Sequence, residues 1–293
     1  MNVLSLFDGI SCGQIALNRI GVSYEKYFAA EIDKYAIKVT QHNYPDTIQL
    51  GDVTTVKGEN LPKIDLLIGG SPCQGFSFAG KQLNFNDPRS SLFFEFVRLL
   101  KETNPKYFLL ENVKMKKEYQ DVISSYLNVE PIEINSSLVS AQNRTRLYWT
   151  NIEDITKPDN KNIQLQDVLL PNSYTEFSKS HCLTSSYGGA VLWNSIQKSQ
   201  RTMVWNKPIA VKKTDTATVY TIDEISVEVS QNNLKDEIQK IKHYARKLNP
   251  IECERLQTVP DNYTSVISDT QRYKCLGNGW TVDVIAHIFK NIK

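Results

Sequence analysis

Short apolar runs recur through the first half of the chain, and they constrain its fold more strongly than any other feature. Each run has the length of a buried β-strand, and stretches with helical periodicity lie between them, most clearly residues 91–100. The runs are residues 3–7, 27–32, 47–50, 64–68, 107–110 and 147–152. Short apolar strands that alternate with helices predict an α/β fold, in which a doubly wound parallel sheet is covered on both faces.

The second half of the chain has a different composition. Residues 153–245 are rich in Asn, Ser, Thr, Gln and Lys, with β-branched runs at 217–222 and 225–229, which predicts a small, mostly β or irregular domain. Helical spacing of apolar residues returns at the C-terminal end. We therefore predict three parts, namely a core at 1–152, an inserted domain at 153–245 and a segment at 246–293 that completes the core.

Composition excludes several classes of protein. With 293 residues, of which 41% are hydrophobic and 23% charged, the chain can bury a substantial core, so neither a disordered nor a collagen-like protein is expected. Five cysteines without a C-x-x-C pair support neither a disulfide framework nor a metal site. The sequence shows no signal peptide and no run of about 20 apolar residues, so we expect a cytoplasmic protein without a membrane partner. The net charge of +2 means that a nucleic-acid partner would need a local basic patch.

Acidic residues follow successive apolar runs, at the sheet edge where ligands bind in open α/β folds. Residues 7–13 form a turn with two glycines but without G-x-G-x-x-G, which disfavours NAD and FAD. Glu31 lies twenty-two residues after Gly9, a separation suited to accepting the hydroxyls of a ribose, and Asp52 follows the third run. This pattern predicts an adenosine-containing cofactor that lacks a pyrophosphate.

Candidate catalytic residues follow the next two runs. Cys73 follows Pro72 among glycines in a polar loop, which suits an accessible thiolate better than a buried core cysteine. Glu111 directly follows the fifth run, so a nucleophile and a proton donor are expected to face one cleft. Arg144 and Arg146 are two residues apart, and on a strand they would point the same way and hold a carboxylate, a base or a phosphate.

Taken in order, these segments resemble the DNA (cytosine-5)-methyltransferase family in its prokaryotic and phage form. The resemblance covers residues 3–152 and 246–288, and the gap between them is where this family keeps its target recognition domain. The turn F-D-G-I-x-x-G and Trp280 are more similar to the animal de novo branch. The matching segments read F-D-G-I, E-I-D, G-D-V, G-G-S-P-C-Q-G-F-S, E-N-V, Q-N-R-T-R, R-K-L-N-P-I-E-C-E-R-L-Q-T-V-P-D-N-Y and Q-R-Y-K-C-L-G-N-G-W-T-V-D-V.

The resemblance implies a Rossmann-like core that transfers a methyl group from S-adenosylmethionine to carbon 5 of cytosine in double-stranded DNA. Cys73 would be the nucleophile, Glu111 the proton donor, and Arg144 and Arg146 the groups that hold the base. Because the target atoms lie inside a duplex, the cytosine must be flipped out, and residues 74–89 would form a lid. A monomer and a possible cognate restriction endonuclease are further implications. Cofactor contacts are implied for Phe7, Asp8, Gly9, Ile10, Ser11, Cys12, Glu31, Ile32, Asp52, Val53, Pro72, Asn278, Gly279 and Trp280.

The inserted domain segregates its charges along the sequence. Residues 178–213 carry six basic side chains and no acidic one, whereas residues 214–237 carry six acidic side chains and one lysine. We interpret the basic segment, with its aromatic residues and the Gly188-Gly189 pair, as the DNA-facing part, and we expect the acidic segment to face away. The alternative is that the charges are only solvated and that Trp193 and Trp205 pack the domain's own core. The predicted DNA contacts are Ser77, Lys198, Arg201 and Lys207.

Two other functions are compatible with the same scaffold. A tRNA cytosine-5 methyltransferase usually carries a C-F-T signature in its recognition region, which we do not find in this sequence. A DNA-binding regulator that has lost catalysis would have no need of Cys73, Glu111, Arg144 and Arg146, all of which are present.

Overall fold

The computed structural model of the protein describes residues 1–71, 88–230 and 232–293, with only the backbone of residues 88–91. The strands in these ranges are β1 (Asn2–Leu6), β2 (Lys26–Ala30), β3 (Ile48–Gln49), β4 (Leu66–Gly69), β5 (Tyr107–Val113), β6 (Ile132–Asn135), β7 (Thr145–Thr150), β8 (Met203–Trp205), β9 (Ile209–Lys213), β10 (Thr218–Ile222), β11 (Ile225–Val229) and β12 (Ala245–Lys247). The α-helices are α1 (Cys12–Arg19), α2 (Lys34–Asn43), α3 (Pro88–Thr103), α4 (Lys117–Leu127), α5 (Leu165–Val168), α6 (Leu192–Lys198), α7 (Leu234–Ile241), α8 (Pro250–Leu256), α9 (Asp269–Asn278) and α10 (Val282–Phe289). No helix in the described ranges has the length and apolar character needed to cross a membrane.

The chain forms two compact units. Unit 1 comprises Met1–Asn135, Thr145–Pro158 and Gly279–Lys293, and unit 2 comprises Ser136–Arg144 and Asp159–Asn278. Residues 246–278 therefore belong by their contacts to unit 2, whereas the sequence placed all of 246–293 with the core. The assignment of residues 153–245 as the part that recognises a target stays a prediction.

A mixed sheet organises unit 1. Its strand order, in the described part of the chain, is β3-β2-β1-β4-β5-β7-β6. Neighbouring strands from β3 to β5 are parallel, so that Leu4 lies opposite both Phe28 and Leu67. The strands are apolar because both faces of the sheet are covered, and Leu4, Leu6 and Leu110 are completely buried. The predicted α/β class is confirmed.

The run at 147–152 departs from the predicted parallel sheet. It forms β7, which lies between β5 and β6 and is antiparallel to both. The connection from β6 to β7 consists only of residues 136–144, and a parallel neighbour would need a crossover of about a dozen residues or more. A short connection of this kind permits only the antiparallel arrangement.

Unit 2 contains two small antiparallel sheets, made of β9, β10 and β11 and of β8 and β12. Its C-terminal part is held to its N-terminal part by Glu252, a completely buried residue of α8. One oxygen of Glu252 accepts the backbone N–H of Leu170 at 2.8 Å, and Arg246 donates to both oxygens at 2.7 and 2.8 Å. Arg246 also donates to the hydroxyl of Ser173 at 2.5 Å. This buried ion pair explains why the segment after residue 245 packs with the inserted region.

Gly277 provides a test of packing in unit 2. A Cβ atom at this position would lie 2.1 Å from the carbonyl carbon of Thr184 and 2.3 Å from the nitrogen of Ser185, both of them backbone atoms. Because backbone cannot move aside as a side chain can, we expect Gly277→Ala to lower the free energy of unfolding by about 2–3 kcal/mol, measured by urea denaturation.

The matched control is Gly189→Ala in the same unit. There the nearest atom to the added Cβ would be Nη1 of Arg201 at 3.6 Å, an ordinary contact. We expect this variant to change the free energy of unfolding by less than about 1 kcal/mol. Equal destabilisation by both substitutions would contradict the packing described for Gly277.

Candidate active site

The turn after β1 has an unusual backbone. Phe7, Gly9 and Ser11 adopt positive φ angles of 57°, 60° and 61°. For a phenylalanine and a serine this conformation costs free energy, and such strain concentrates at ligand sites. The side chains of Ile10, Ser11 and Cys12 are buried, so a ligand at this turn would meet mainly its backbone and Phe7.

Glu31 connects the end of β2 to this turn. Its Oε2 accepts the backbone N–H of Gly9 at 2.8 Å, and its Oε1 accepts those of Ile32 and Asp33, also at 2.8 Å. A carboxylate has about four acceptor positions, so about one remains for a ligand hydroxyl. Ile32 is 75% exposed directly beside this carboxylate, which combines an apolar surface with a charged acceptor, as small-molecule sites do.

Asp52 lies at the end of β3, on the surface. Its Oδ1 accepts both the backbone N–H and the hydroxyl of Thr54 at 2.9 Å, which caps the short turn Val53–Thr55. These hydrogen bonds lower the pKa of Asp52. Gly51 precedes it with a φ of 75°, and no atom lies within 4 Å of the place where its Cβ would be. The end of β3 is therefore open on the side of Gly51.

Glu111 is bound by two donors within β5, which continues past the predicted run to Val113. Arg146, on the neighbouring strand β7, donates from Nε to Oε1 at 2.8 Å, and the indole of Trp280 donates to Oε2 at 3.2 Å. The side chains of Glu111 and Arg146 are 11% and 14% exposed. Since the two donors use different oxygens, they fix the plane of the carboxylate. Gly70 leaves room for this arrangement, because a Cβ there would lie 3.0 Å from the indole nitrogen and 3.1 Å from Oε2.

Asn112 links β5 to the residue that leads toward Cys73. Its side-chain amide donates to the hydroxyl of Ser71 at 3.3 Å and lies 3.5 Å from the carbonyl of the same residue. Its own carbonyl oxygen accepts the backbone N–H of Val113 at 2.8 Å. The predicted site residues Pro72, Cys73 and Ser77, and the predicted lid up to residue 87, lie outside the described residues.

Arg144 differs from Arg146 in its surroundings. It lies in unit 2, just before β7, is 3% exposed and donates to the carbonyls of Leu183 at 2.8 Å and Gly277 at 3.3 Å. The expectation that both arginines lie on a strand and point the same way is wrong, because β7 begins only at Thr145. In this structure the guanidinium of Arg144 serves the packing of unit 2.

The three predicted C-terminal cofactor residues also divide between the units. Asn278 is the exposed last residue of α9 in unit 2, whereas Gly279 and Trp280 belong to unit 1. The backbone carbonyl of Trp280 lies 3.8 Å from the sulfur of Cys12, next to the turn after β1. Trp280 therefore contacts both the predicted catalytic acid and the predicted cofactor turn.

Several side chains of the basic segment, which the sequence predicts to face DNA, have partners within unit 2. Tyr187 and Trp205 are only 2% and 1% exposed, and the indole N–H of Trp205 donates to Glu176 at 2.7 Å. The ammonium of Lys179 donates to the carbonyls of residues 137, 140 and 163 at 2.6–2.9 Å. Tyr187 and Trp205 therefore pack the core of unit 2, and the ammonium of Lys179 is occupied by backbone carbonyls.

The acidic segment does not lie apart from the basic one. β9 of the basic segment pairs with β10, and β10 pairs with β11, so both segments share one sheet. The ammonium of Lys207 lies 3.5 Å from a carboxylate oxygen of Asp223. Charge separation along the sequence is lost here because antiparallel pairing brings the two segments together.

Two cations meet at the Gly188-Gly189 pair. Arg201 donates to the carbonyl of Gly189 at 3.1 Å and to the hydroxyl of Ser186 at 3.0 Å, while Lys247 donates to the carbonyl of Gly188 at 2.8 Å. Arg201 has a φ of 53°, a strained conformation for a non-glycine residue. Lys198, at the end of α6, is exposed.

Sequence reasoning missed three residues of these sites. Lys247 lies outside the segment singled out for its charge, although the lysines that precede it from residue 235 onward could have indicated it. Tyr27 is an apolar position in a strand by its sequence, and only the structure shows its hydroxyl on Asp8 at 2.9 Å. Asn112 stands beside Glu111 in the sequence, but its contact with Ser71 depends on the pairing of β4 with β5.

Comparisons with known proteins agree on one family. The model of the C-5 cytosine-specific DNA methylase family matches residues 1–293. The type II methyltransferase M1.ScrFI of Lactococcus lactis subsp. cremoris is 32% identical over 296 residues, which cover 97% of this chain and 75% of that protein. The orphan methyltransferase M.SPRI of Bacillus phage SPR is 42% identical over 171 residues, which cover 54% of this chain and 39% of that protein.

A solved structure shows the same fold over the whole chain. The Entamoeba histolytica methyltransferase EhMeth superposes with a TM-score of 0.74 at 19% identity, covering 100% of this chain and 99% of that one. The predicted Rossmann-like core is confirmed by this agreement.

The ion pair of Glu111 and Arg146 can be tested through stability. Arg146→Gln leaves a buried carboxylate without its cation, so we expect the free energy of unfolding to fall by about 3–5 kcal/mol, measured by chemical denaturation. Adding Glu111→Gln should restore part of this loss, because the unpaired charge is then removed. The control is Lys114→Gln, which breaks an exposed pair with Glu133 and should cost less than about 1 kcal/mol. A double variant that is less stable than Arg146→Gln would contradict the buried pair.

Proposed function

The chain belongs to the C-5 cytosine-specific DNA methylase family, and we propose that it acts on cytosines flipped out of double-stranded DNA through a covalent adduct at Cys73. As a member of this family it is a DNA (cytosine-5)-methyltransferase that depends on S-adenosylmethionine. The observation that carries the finer proposal is the buried carboxylate of Glu111, fixed by Arg146 and Trp280 near the C-terminal end of β5. Cys73 follows Ser71 in the sequence by two residues, and Ser71 contacts Asn112, the neighbour of Glu111.

The proposed chemistry begins with the nucleophile. Carbon 5 of cytosine is a weak nucleophile while the ring is aromatic. The Cys73 thiolate forms a bond to carbon 6, and the electron pair of the carbon 5–carbon 6 double bond moves toward ring nitrogen 3, which takes a proton from Glu111. Carbon 5 is then enamine-like and would take the methyl group, while the bond from that group to the sulfur of the cofactor breaks and its electron pair stays on the sulfur. A base removes the proton from carbon 5, the electron pair of that bond restores the carbon 5–carbon 6 double bond and expels the thiolate, and ring nitrogen 3 returns its proton to Glu111.

Arg146 and Trp280 support the role given to Glu111. Their N–H groups approach Oε1 and Oε2 separately, so each oxygen keeps a second position that can carry the proton passed to ring nitrogen 3. Donors fixed in this way need no reorganisation when charge develops on the ring, which is the main source of electrostatic catalysis. For Arg144 we propose only a structural role in ordering the chain before β7, because its guanidinium donates to the backbone carbonyls of Leu183 and Gly277.

The residues at the ends of β1, β2 and β3 fit S-adenosylmethionine. The turn at residues 7–12 would receive the methionine part, Glu31 with about one free acceptor position would hold a ribose hydroxyl, and Ile32 would cover the adenine. Asp52 and Val53 would face the adenine amine, with Pro72, Asn278, Gly279 and Trp280 around the remainder. When bound, the cofactor supplies an electrophilic methyl group on a positively charged sulfur.

Unit 2 offers a DNA contact at the Gly188-Gly189 pair. Arg201 and Lys247 bind neighbouring carbonyls there and keep further N–H groups that can reach phosphate. Lys198 and Lys207 extend the proposed surface, although Asp223 offsets part of the charge of Lys207. Ser77, the remaining predicted contact, lies outside the described residues.

The wider setting of the enzyme is inferred from its class. We infer a monomer that acts in the cytoplasm on nucleoid, phage or mobile-element DNA, either with a cognate restriction endonuclease or without one.

The alternative of a tRNA substrate gains one observation, since Cys182-Leu183-Thr184 differs from the C-F-T signature in a single residue. Methyl transfer from labelled cofactor to duplex DNA and to tRNA, followed by bisulfite sequencing, separates these substrates and reveals the sequence context. Preferential labelling of tRNA would overturn the DNA proposal.

The covalent step predicts that Cys73→Ala binds DNA and cofactor but transfers no methyl group above background, because carbon 5 is not activated without the thiolate. Duplex DNA with 5-fluorocytosine at the target should trap the wild-type protein in a denaturant-resistant adduct, since fluorine does not leave as a cation. Cys182→Ala, which removes a different cysteine, should still form the adduct. Substantial turnover by Cys73→Ala would refute the assignment.

The DNA contact predicts a change in salt dependence. Each phosphate contact contributes about 0.9 to the slope of log affinity against log salt. Replacing Arg201 and Lys247 together by Gln should therefore reduce this slope by up to about two units, measured by fluorescence anisotropy with a duplex. The double variant Lys212→Gln with Lys235→Gln removes the same charge elsewhere in unit 2 and should leave the slope near that of the wild type. Equal slopes for all three proteins would place the contact elsewhere.

A further inference from the structure

The turn at residues 7–11 is bound from its inner side by Asp8. Oδ2 of Asp8 accepts the hydroxyl of Ser11 at 2.7 Å, and Oδ1 accepts the hydroxyl of Tyr27 at 2.9 Å. The backbone N–H of Ser11 also donates to the carbonyl of Asp8 at 3.1 Å. One side chain therefore joins Ser11, the residue before α1, to Tyr27, near the start of β2.

The hydrogen bonds around Asp8 fix which groups donate and which accept. Ser11 Oγ accepts from the amide nitrogen of Gln14 at 2.8 Å, and the same nitrogen donates to the hydroxyl of Thr47 at 2.8 Å. The carbonyl oxygen of Gln14 accepts the hydroxyl of Tyr24 at 2.8 Å. This chain of bonds directs the hydroxyl proton of Ser11 toward Asp8, because its oxygen is already used as an acceptor.

Because the hydroxyls of Ser11 and Tyr27 both donate to Asp8, both of its oxygens must act as acceptors. An ionised carboxylate accepts on both oxygens, whereas a protonated one carries a donor on one of them. Protonation would therefore deprive either Ser11 or Tyr27 of its acceptor. Burial raises the pKa of Asp8 to about 6, against hydrogen bonds from Ser5, Ser11 and Tyr27 that lower it. Burial also raises the pKa of Tyr27 well above its ordinary value, so Tyr27 remains a donor throughout the range in which Asp8 titrates.

We propose that Asp8 is a positioning residue whose carboxylate, bonded to Ser11 and Tyr27, holds the turn at residues 7–11 in the form that receives S-adenosylmethionine. The inference rests on the proposed cofactor site and changes the role of one of its members, because Asp8 faces Tyr27 and Ser11 and acts through the backbone of the turn. The positive φ angles of Phe7, Gly9 and Ser11 explain the need for it, since a strained turn persists only where its surroundings fix it.

Cofactor affinity should depend on pH through the ionisation of Asp8. Affinity is present above the pKa of Asp8 and is lost as the pH falls through about 6. The other titratable groups that act on this carboxylate are Glu31, whose charge raises the pKa of Asp8, and Tyr27, whose own pKa is raised well above its ordinary value. Tyr24 lies nearby and its pKa is also raised, but it makes no hydrogen bond to Asp8.

The pH dependence of folding stability at Asp8 is opposite in direction to that of cofactor affinity. The pKa of Asp8 in the folded protein lies above its ordinary value of 3.8, so its contribution to stability is greatest when it is protonated and declines as the pH rises from about 4 to about 6. A rise in pH therefore strengthens cofactor binding while it weakens the fold at this residue. An acid with a structural role alone would not produce this divergence.

The experiment measures the dissociation constant of S-adenosylmethionine by isothermal titration calorimetry between pH 5 and 8, with thermal unfolding recorded at each pH. For the wild type we expect affinity to fall below about pH 6, approaching tenfold per pH unit. Asp8→Asn should bind weakly and without this dependence, while unfolding at pH 8 at a temperature no lower than that of the wild type. Tyr27→Phe should move the loss of affinity to higher pH, because it removes a hydrogen bond to the carboxylate.

Tyr24→Phe is the matched control. It removes the same atom from a ring whose centre lies 5.7 Å from that of Tyr27, but its hydroxyl donates to Gln14 and makes no bond to Asp8. It should keep the wild-type profile. Tight binding by the wild type without a loss of affinity below pH 6, or the same loss in Asp8→Asn, would overturn the role proposed for Asp8. Neither result would affect the proposed cofactor site. Failure of the wild type to bind the cofactor at pH 8 would overturn the proposed cofactor site as well.

Discussion

Burial of both faces of the parallel sheet is the constraint from which the rest of this structure follows. With helices on either side, the strands from β2 to β5 present mainly apolar side chains, and Leu4, Leu67 and Leu110 are completely buried. A carboxylate inside such a strand would lose its hydration without compensation. Glu31 therefore follows β2, where backbone N–H groups supply its donors, whereas Glu111, within β5 near its C-terminal end, is compensated by Arg146 and Trp280.

Three of these carboxylates are satisfied in three different ways. Glu31 accepts backbone N–H groups, Glu111 accepts a guanidinium and an indole, and the side chain of Asp8 accepts the hydroxyls of Ser11 and Tyr27. Backbone donors fix Glu31 in position for a ligand, and two side-chain donors fix the plane of Glu111. Burial raises the pKa of Asp8 by more than its hydrogen bonds to hydroxyl groups lower it, so this pKa rises to about 6.

Charged residues of unit 2 illustrate how often basic side chains have structural partners. Lys179 and Arg144 donate to backbone carbonyls, and Arg246 is paired with the buried Glu252. Only cations that keep some exposure, such as Arg201 and Lys247, can also reach a nucleic acid. A count of basic residues along the sequence overstates the binding surface, because buried carbonyls and carboxylates need the same donors.

The sequence alone determined the α/β class, the family, the cofactor and the candidate acids Glu31 and Glu111, since apolar periodicity and residue order are properties of the chain itself. It did not determine the antiparallel β7, the separation of Arg144 from Arg146, or the burial of Tyr187 and Trp205. Nor did it show that Tyr27 meets Asp8 or that Trp280 meets Glu111. These features were decided by the tertiary structure, because they depend on strand pairing and packing between residues that are far apart in the sequence.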